Sequence, residues 1–276
     1  MTPPLARRAL AEFLGTGLLV ALVVGSGIMA QRLSPGEVGL QLLENSTATA
    51  LGLAAIILVF GPVSGAHFNP VVTLADYVLA RRDRADVDPR TVAVFLPAQI
   101  GGGILGAIPA NLMFALPAVT ASAHNRSAAH LWLGEVVATA GLILLIFALA
   151  RTGRGHYGPA AVGAYIGAAH WFTSSTSFAN PAVTIARAFT DTFAGIAPGS
   201  ILGFVAAQVV GAALGTALVL ALYPAARPEV PAPLDVNTDR DAAWAEPSPR
   251  TSGLAAEDIP EAVLVRTHTA ADLSAE

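Results

Sequence analysis

Four long stretches of the chain contain no Asp, Glu, Lys, Arg or His. They cover residues 13–31, 45–66, 91–123 and 192–226. A helix needs about 20 residues to cross the roughly 30 Å hydrocarbon layer of a bilayer, so each stretch is long enough to hold a span. Charged residues make up 12% of the chain, against about 25% in soluble domains. These stretches exclude an ordinary soluble protein and predict a membrane protein with several helical spans.

Hydropathy predicts six transmembrane helices. They run over residues 9–31, 42–60, 91–117, 130–150, 158–176 and 199–223. Most arginines of the connections fall on one side of such a bundle, in segments 7–8, 81–90 and 151–154, whereas Arg32 and Arg126 fall on the other. Because arginine concentrates on the cytoplasmic side of a membrane, we expect a multi-pass protein of the inner (plasma) membrane with both termini in the cytoplasm.

Several chemistries have no residues to support them. The chain has no cysteine, which excludes disulfides and thiolate ligands, and no basic patch that would indicate nucleic acid. Glu12, His67, Glu135 and His170 are ionisable residues within apolar surroundings and so are functional candidates, but their spacing matches no metal motif. We expect no enzyme activity, metal or cofactor. Residues 225–276, which hold 10 of the 19 acidic residues, are predicted to form a disordered cytoplasmic tail.

Two apolar segments are too short to span a membrane, and both open with Asn-Pro. They cover residues 69–79 and 180–189. An asparagine side chain caps a helix N-terminus, and proline suits the first helical position because its missing N–H would be unpaired there in any case. Each segment is therefore predicted to be a short helix that enters the membrane without crossing it.

The two short segments belong to an internal repeat. Glu12 corresponds to Glu135, Asn69 to Asn180, and Gln99 to Gln208, with Asn-to-Gln separations of 30 and 28 residues. Each repeat, about 8–117 and 130–224, contains three spans, so the second must lie inverted relative to the first. We expect one channel domain over residues 1–224 in which the two short helices enter from opposite faces.

The non-helical residues before each Asn-Pro can line a path. Irregular backbone at membrane depth is tolerated only where protein or a water-filled cavity satisfies it, and residues 64–68 and 174–179 are small and polar. If the two helices meet at their N-termini, their positive dipole ends face the middle of that path. Such a centre repels protons and other cations, while Asn69 and Asn180 offer donors to a neutral hydroxylated solute.

These motifs resemble those of the major intrinsic protein family, the aquaporins and aquaglyceroporins. The resemblance rests on Ala-Glu-Phe-Leu-Gly-Thr at 11–16, Ser-Gly-Ala-His-Phe-Asn-Pro at 64–70, Phe-Ala-Asn-Pro-Ala at 178–182 and the repeated glutamine, and it extends over about residues 8–224. It implies an all-α, right-handed bundle of six spans and two re-entrant half-helices, assembled as a homotetramer with one pore per subunit. It also implies roles for named residues: Asn69, Asn180, Val71 and Ala182 at the central constriction, His67 lining the pore, and Glu12 and Glu135 bracing the loops.

The chain departs from the family pattern at two positions. Val71 replaces the usual alanine after the first Asn-Pro, and Val183 replaces the arginine that usually follows the second Asn-Pro-Ala. When the family's other filter positions are carried over by their spacing from the motifs, the resemblance implies that Thr49, Ala168 and Ser177 complete the selectivity filter with Val183. A filter of three small residues and a valine implies a wide, weakly polar mouth. It favours glycerol, small polyols or undissociated metalloid acids, and it resembles that of the bacterial branch associated with arsenic resistance.

Two further residues could reach the outer mouth. Arg187 lies four residues after Val183, so it falls on the same helix face about 6 Å further along. It is either a displaced guard of the filter or an ordinary helix-end arginine paired with Asp191. His170 is either a pH-sensitive group at the mouth or a helix-packing residue.

The function predicted from these features is passive diffusion of small uncharged solutes, and possible water flux, through a lipid-embedded channel that excludes protons and ions. A water-selective aquaporin is the alternative within the same class. A closed-pore structural protein of the membrane and a proton-coupled transporter are the alternatives from other classes.

Overall fold

The computed structural model describes residues 3–85 and 88–224. The predicted cytoplasmic tail, residues 225–276, lies outside the described residues. Eight α-helices and three short 3-10 turns form the described part, in which no residue is in a strand. The α-helices are α1 Leu5–Leu33, α2 Val38–Ser64, α3 Pro70–Arg82, α4 Pro89–Met113, α5 Ala129–Arg151, α6 Gly158–Phe172, α7 Pro181–Ala186 and α8 Ile201–Leu222. The predicted all-α class is confirmed.

Five of the helices are long and apolar enough to cross a membrane: α1, α2, α4, α5, and α8 together with the turn before it. The predicted fifth span is shorter than expected. Helix α6 has 15 residues and so extends about 22 Å, because it ends at Phe172 and not at residue 176. Residues 173–180 leave the helix and lead directly into α7.

Glycines bring the long helices of each repeat into backbone contact. Helix α1 packs along α4, and α5 packs along α8. A Cβ atom at Gly106 would lie 2.1 Å from the carbonyl oxygen of Gly17, and one at Gly215 would lie 2.6 Å from that of Ala140. Only glycine allows such a close approach. The two repeats therefore use the same packing device.

The two short helices begin where the Asn-Pro motifs predict. The side chain of Asn69 caps α3 by accepting from the N–H of Val71, and that of Asn180 caps α7 by accepting from the N–H groups of Ala182 and Val183. Their far ends differ from the prediction. Helix α3 continues to Arg82, and α7 changes to a 3-10 turn at Arg187–Phe189.

Candidate functional site

The N-termini of α3 and α7 meet through a reciprocal pair of hydrogen bonds. Asn69 Nδ2 donates to the carbonyl oxygen of Ala179 at 2.8 Å, and Asn180 Nδ2 donates to that of Phe68 at 2.7 Å. Each side-chain amide has two N–H donors, so each retains one after this contact. Both positive helix ends therefore point at one location, and each asparagine keeps a donor for another molecule.

A buried glutamate holds the loop before each short helix. Glu12 accepts hydrogen bonds from the N–H groups of His67 and Phe68 and from the side chains of Ser64 and Gln99, at 2.6–3.0 Å. All four contacts therefore use the carboxylate oxygens as acceptors.

The second repeat builds the same brace. Glu135 accepts from the N–H groups of Phe178 and Ala179 and from Gln208 Nε2, at 2.6–2.9 Å. The glutamine then continues to the short helix, since Gln208 Nε2 also donates to Thr184 Oγ1 at 2.8 Å. Gln99 makes the equivalent bond to Thr73 at 2.9 Å. The brace thus ties a long helix, a loop and a short helix together in each half.

The braced loops contain strained backbone. Ala66 and Phe68 in the first loop, and Thr176, Ser177 and Ala179 in the second, have φ angles between 49° and 61°. Side-chain-bearing residues in this left-handed region cost on the order of 1–3 kcal/mol each and persist where surrounding contacts hold them. In this conformation the carbonyl groups of residues 65–67 and 177–178 accept no hydrogen bond from the described residues. They are available as acceptors.

A cavity of about 680 Å³ runs past both asparagines. One end lies beside Asp76 and His156, and we call it the α3 end; the other lies beside His170 and Arg187, and we call it the α7 end. The two loops contribute polar groups to its lining. The long helices contribute apolar side chains, among them Leu19, Val23, Leu53, Leu142, Ile146 and Val162.

Most of the predicted pore residues lie on this cavity. Thr49, Ser177, Val183, His67, Arg187 and His170 all line it, together with Asn69 and Asn180. The prediction for Ala168 is wrong, because that residue is exposed and lines a separate surface depression with Trp171. On α6, Ile166 and His170 face the cavity instead. Spacing along the chain locates a residue on the helix axis but does not fix which side of the helix it faces.

The predictions for Val71 and Ala182 are also corrected. Neither residue lines the cavity, whose wall is formed by the next residue of each helix, Val72 and Val183. The reason is helical geometry: residues i, i+3 and i+7 share a face, and the capping asparagine is residue i. Asp76, which sequence reasoning missed, lies on that face at i+7.

Comparison with known proteins decides the family. The model of the family described as "Major intrinsic protein" matches residues 1–179. The aquaglyceroporin AqpS of Rhizobium meliloti (strain 1021) is 48% identical over 224 residues, covering 81% of this chain and 93% of AqpS. The chain belongs to the major intrinsic protein family. It is therefore a multi-pass membrane channel for small uncharged solutes and not an enzyme.

Two further comparisons describe other members. The glycerol uptake facilitator protein of Escherichia coli (strain K12) is 37% identical over 106 residues, which cover 38% of this chain and 35% of that protein. The X-ray structure of the aquaglyceroporin from Plasmodium falciparum covers 78% of this chain and 96% of its own, with a TM-score of 0.58 and 22% identity. That likeness supports the aquaporin-like fold of this major intrinsic protein.

In this family member, Arg187 is buried at the α7 end and held there by two contacts. It is 5% exposed, its Nε donates to the carbonyl oxygen of Ala194, and its guanidinium carbon lies 3.4 Å from the centre of the Phe178 ring. The alternative of a pair with Asp191 is wrong: that carboxylate accepts from the N–H of Ala123, and its one ion pair within the described part is with His124.

Two buried hydroxyl groups at the α7 end have no hydrogen-bond partner among the described residues. They are Thr49 Oγ1 and Ser177 Oγ, on residues that are 1% and 3% exposed. An unpaired buried polar group costs about 1–3 kcal/mol. Both residues line the cavity, but the two oxygens are themselves enclosed by protein, so a solute reaches them only after the side chains rotate.

Proposed function

We propose that this channel conducts uncharged solutes larger than water, namely glycerol-like polyols and undissociated metalloid acids such as arsenite, and that it excludes protons and ions. The observation that carries the proposal is the cavity of about 680 Å³ that passes both capping asparagines. The predicted filter residues that line it, Thr49, Ser177 and Val183, have no bulky aromatic side chain, which favours solutes larger than water. The names of AqpS and of the glycerol uptake facilitator support the same solute class.

The mixed lining suits a polyol. Loop carbonyls, Asn69 and Asn180 offer hydrogen bonds. Many of the other lining residues are leucine, isoleucine and valine. A polyol presents both hydroxyl groups and C–H groups, so it can contact both kinds of lining at once. An ion would lose its hydration shell there and meet the positive helix ends.

We assign the selectivity filter to Thr49, Ser177 and Val183, with Ile166 and His170 contributed by α6. Arg187 acts as an outer guard placed one helical turn beyond the usual arginine position. Its buried guanidinium supports this role, because the Phe178 ring and the Ala194 carbonyl hold it beside the cavity. In this assignment the α7 end keeps a positive charge, that of Arg187, but position 183 in the filter itself is an uncharged valine.

The protein works in the inner (plasma) membrane with both termini in the cytoplasm, so the α3 end opens to the cytoplasm. The arginines of segments 7–8, 81–90 and 151–154 support this orientation. A homotetramer with one pore per subunit is the assembly that the family implies. Native mass spectrometry of the detergent-solubilised protein tests it, and a monomer as the main species would contradict it.

Stopped-flow measurements on proteoliposomes test the proposed function. Water, glycerol and arsenite fluxes are measured without an imposed ion gradient, so a proton-coupled transporter or a sealed structural protein gives no response. Val183→Arg, which adds bulk and charge to the filter, is expected to reduce glycerol and arsenite flux about tenfold, equivalent to about 1.4 kcal/mol in the barrier, and water flux less.

Ala168→Phe is the matched control, because it adds bulk to the exposed face of α6 away from the cavity. It is expected to leave all three fluxes near the wild-type values. Equal losses of water, glycerol and arsenite flux in Val183→Arg would contradict the filter assignment. A wild type that passes water alone would identify a water-selective aquaporin instead.

A further inference from the structure

The two short helices place opposite charges at equivalent positions of the repeat. Asn69, Val72 and Asp76 follow one face of α3, and Asn180, Val183 and Arg187 follow the equivalent face from α7 into its 3-10 turn. All six residues line the same cavity. The spacing is i, i+3 and i+7 in both repeats. Asp76 in the first repeat and Arg187 in the second therefore occupy equivalent positions, although they carry opposite charges.

These charges lie toward opposite ends of the cavity. Seven residues of helix correspond to about 10 Å along the axis. The two helices run in opposite directions from the point where their asparagines meet, because each asparagine bonds to the loop that precedes the other helix. Asp76 therefore lies about 10 Å from the centre on the α3 side, and Arg187 about as far on the α7 side.

Neither the helix ends at the centre nor Arg187 at the α7 end repels anions. Both helix N-termini contribute positive potential at the centre, and the Arg187 guanidinium adds positive charge at the α7 end. These features repel cations but attract an anion such as the conjugate base of a weak acid. The cavity has a single carboxylate in the described part of its lining, that of Asp76.

The Asp76 carboxylate is not neutralised by a neighbour. It is half-buried, and within residues 3–85 and 88–224 it makes neither a hydrogen bond nor an ion pair. The other ionisable side chains in the described cavity lining at this end are those of His67 and His156, and His67 Nδ1 contacts Thr73 Oγ1 at 3.1 Å. The arginines of segments 7–8, 81–84 and 151–154 lie outside that lining. Asp76 is therefore the acidic side chain of the described lining that lies directly on the path at the α3 mouth.

We propose that Asp76 is a specificity-determining residue that excludes small monovalent anions at the α3 end. Together with the positive centre and Arg187, it makes the path unfavourable for ions of both signs and leaves uncharged solutes as the permeants. The inference rests on the proposed channel function and adds to it the residue that opposes anions. An anion about 6 Å from this carboxylate meets repulsion that lowers its flux roughly threefold at an effective dielectric constant of 80 and roughly hundredfold at 20.

The test compares chloride and glycerol permeability in the same vesicles. The full chain is reconstituted with an entrapped chloride-quenched dye, valinomycin and potassium balance the charge, and stopped-flow light scattering reports glycerol. In Asp76→Asn the chloride-to-glycerol ratio is expected to rise at least about threefold. In Asp76→Glu, which keeps the charge, it is expected to stay at the wild-type value. Glu37→Gln removes an exposed acid outside the cavity and is also expected to leave the ratio unchanged.

An unchanged ratio in Asp76→Asn beside normal wild-type glycerol flux overturns this inference alone. An equal rise in Glu37→Gln also overturns it, because the effect would then come from overall charge. Absence of wild-type glycerol flux overturns the proposed function and this inference with it. If Asp76→Asn forms no channel, as its glycerol flux reports, Asp76→Ser provides the neutral variant.

Discussion

Replacing a loop-bracing glutamate with glutamine keeps the shape of the side chain but changes its hydrogen bonding. In wild type, Glu12 Oε1 accepts from Ser64 Oγ and the N–H of His67, while Oε2 accepts from the N–H of Phe68 and from Gln99 Nε2. A glutamine has one oxygen and one NH₂ group. Its oxygen can satisfy one pair of donors, and its NH₂ group then faces the other pair.

Of the two orientations of the new side-chain amide, fewer hydrogen bonds are lost in the one that places its oxygen near the N–H of Phe68. The Ser64 hydroxyl can rotate and accept from the new NH₂ group, but the N–H of His67 cannot. One buried backbone donor is then unpaired, which costs about 1–3 kcal/mol, and the remaining bonds lose the strengthening that a charged acceptor provides. We therefore expect Glu12→Gln to destabilise the fold by about 2–4 kcal/mol.

The same reasoning applies to Glu135, whose replacement leaves the N–H of Phe178 unpaired. Because the two braces match, Glu12→Gln and Glu135→Gln are expected to lower the midpoint of thermal unfolding in detergent by similar amounts, roughly 4–16 °C. Glycerol flux should fall in both variants as the strained loops relax. Glu37→Gln, at an exposed residue, is the control. If both buried variants melt with the wild type and conduct normally, the carboxylates do not hold the loops.

Two further changes test the packing and the guard. In Gly106→Ala the new methyl carbon would lie 2.1 Å from the carbonyl oxygen of Gly17, so we expect the free energy of unfolding to fall by about 1–3 kcal/mol in thermal denaturation. Gly39→Ala is the control, because in the described structure its methyl group would have no neighbour within 4 Å beyond the adjacent helix backbone, and it should be neutral. Equal stability of the two variants would contradict close helix packing. Arg187→Gln removes positive charge from the α7 end, so methylammonium influx into proteoliposomes should rise at least about threefold. A fall or no change would show that Arg187 does not guard this end.

Most of the features that the sequence predicts correctly belong to the internal repeat. The Asn-Pro motifs set the starts of α3 and α7, because capping and the proline position are local effects that involve only neighbouring residues. The absence of charge over long stretches set the apolar spans. The end of a helix depends on more distant parts of the fold: α6 ends at Phe172 because residues 173–180 connect it to α7.

The rotation of each helix about its axis could not be predicted by spacing alone. It depends on which face packs against a neighbour, and in α6 Gly163 packs against the carbonyl of Ala50, where a Cβ atom would lie 2.4 Å from the oxygen. That contact turns Ala168 away from the cavity and turns Ile166 and His170 toward it. For α3 and α7 the signal was present, since the i, i+3, i+7 rule applied from each capping asparagine gives Val72, Asp76 and Arg187.

Residues that are equivalent in the two repeats support the loops, whereas residues that differ between the repeats line the cavity. Agreement is found in the support of the loops: an aromatic ring from a long helix packs edge-on against a loop ring in both halves, Phe95 against His67 at 5.7 Å and Phe204 against Phe178 at 5.1 Å. The differences lie on the cavity. The first loop ring is an imidazole, whereas the second is a phenyl ring that carries the Arg187 guanidinium.

A symmetric support with different ends has a physical consequence. The matched braces hold both asparagines at one point, so the contact between the asparagines depends on the residues of the brace. The residues at i+7 lie beyond the brace and contact the cavity, so their charge can change without loss of the central contact. Selectivity in this channel can therefore vary at the ends of the short helices while the centre stays fixed. The chloride-to-glycerol ratio of the Asp76 variants should accordingly change far more than their melting temperatures, the reverse of what the Glu12 and Glu135 variants should show. Arg187→Gln, which also loses the contacts to Ala194 and Phe178, should change both quantities.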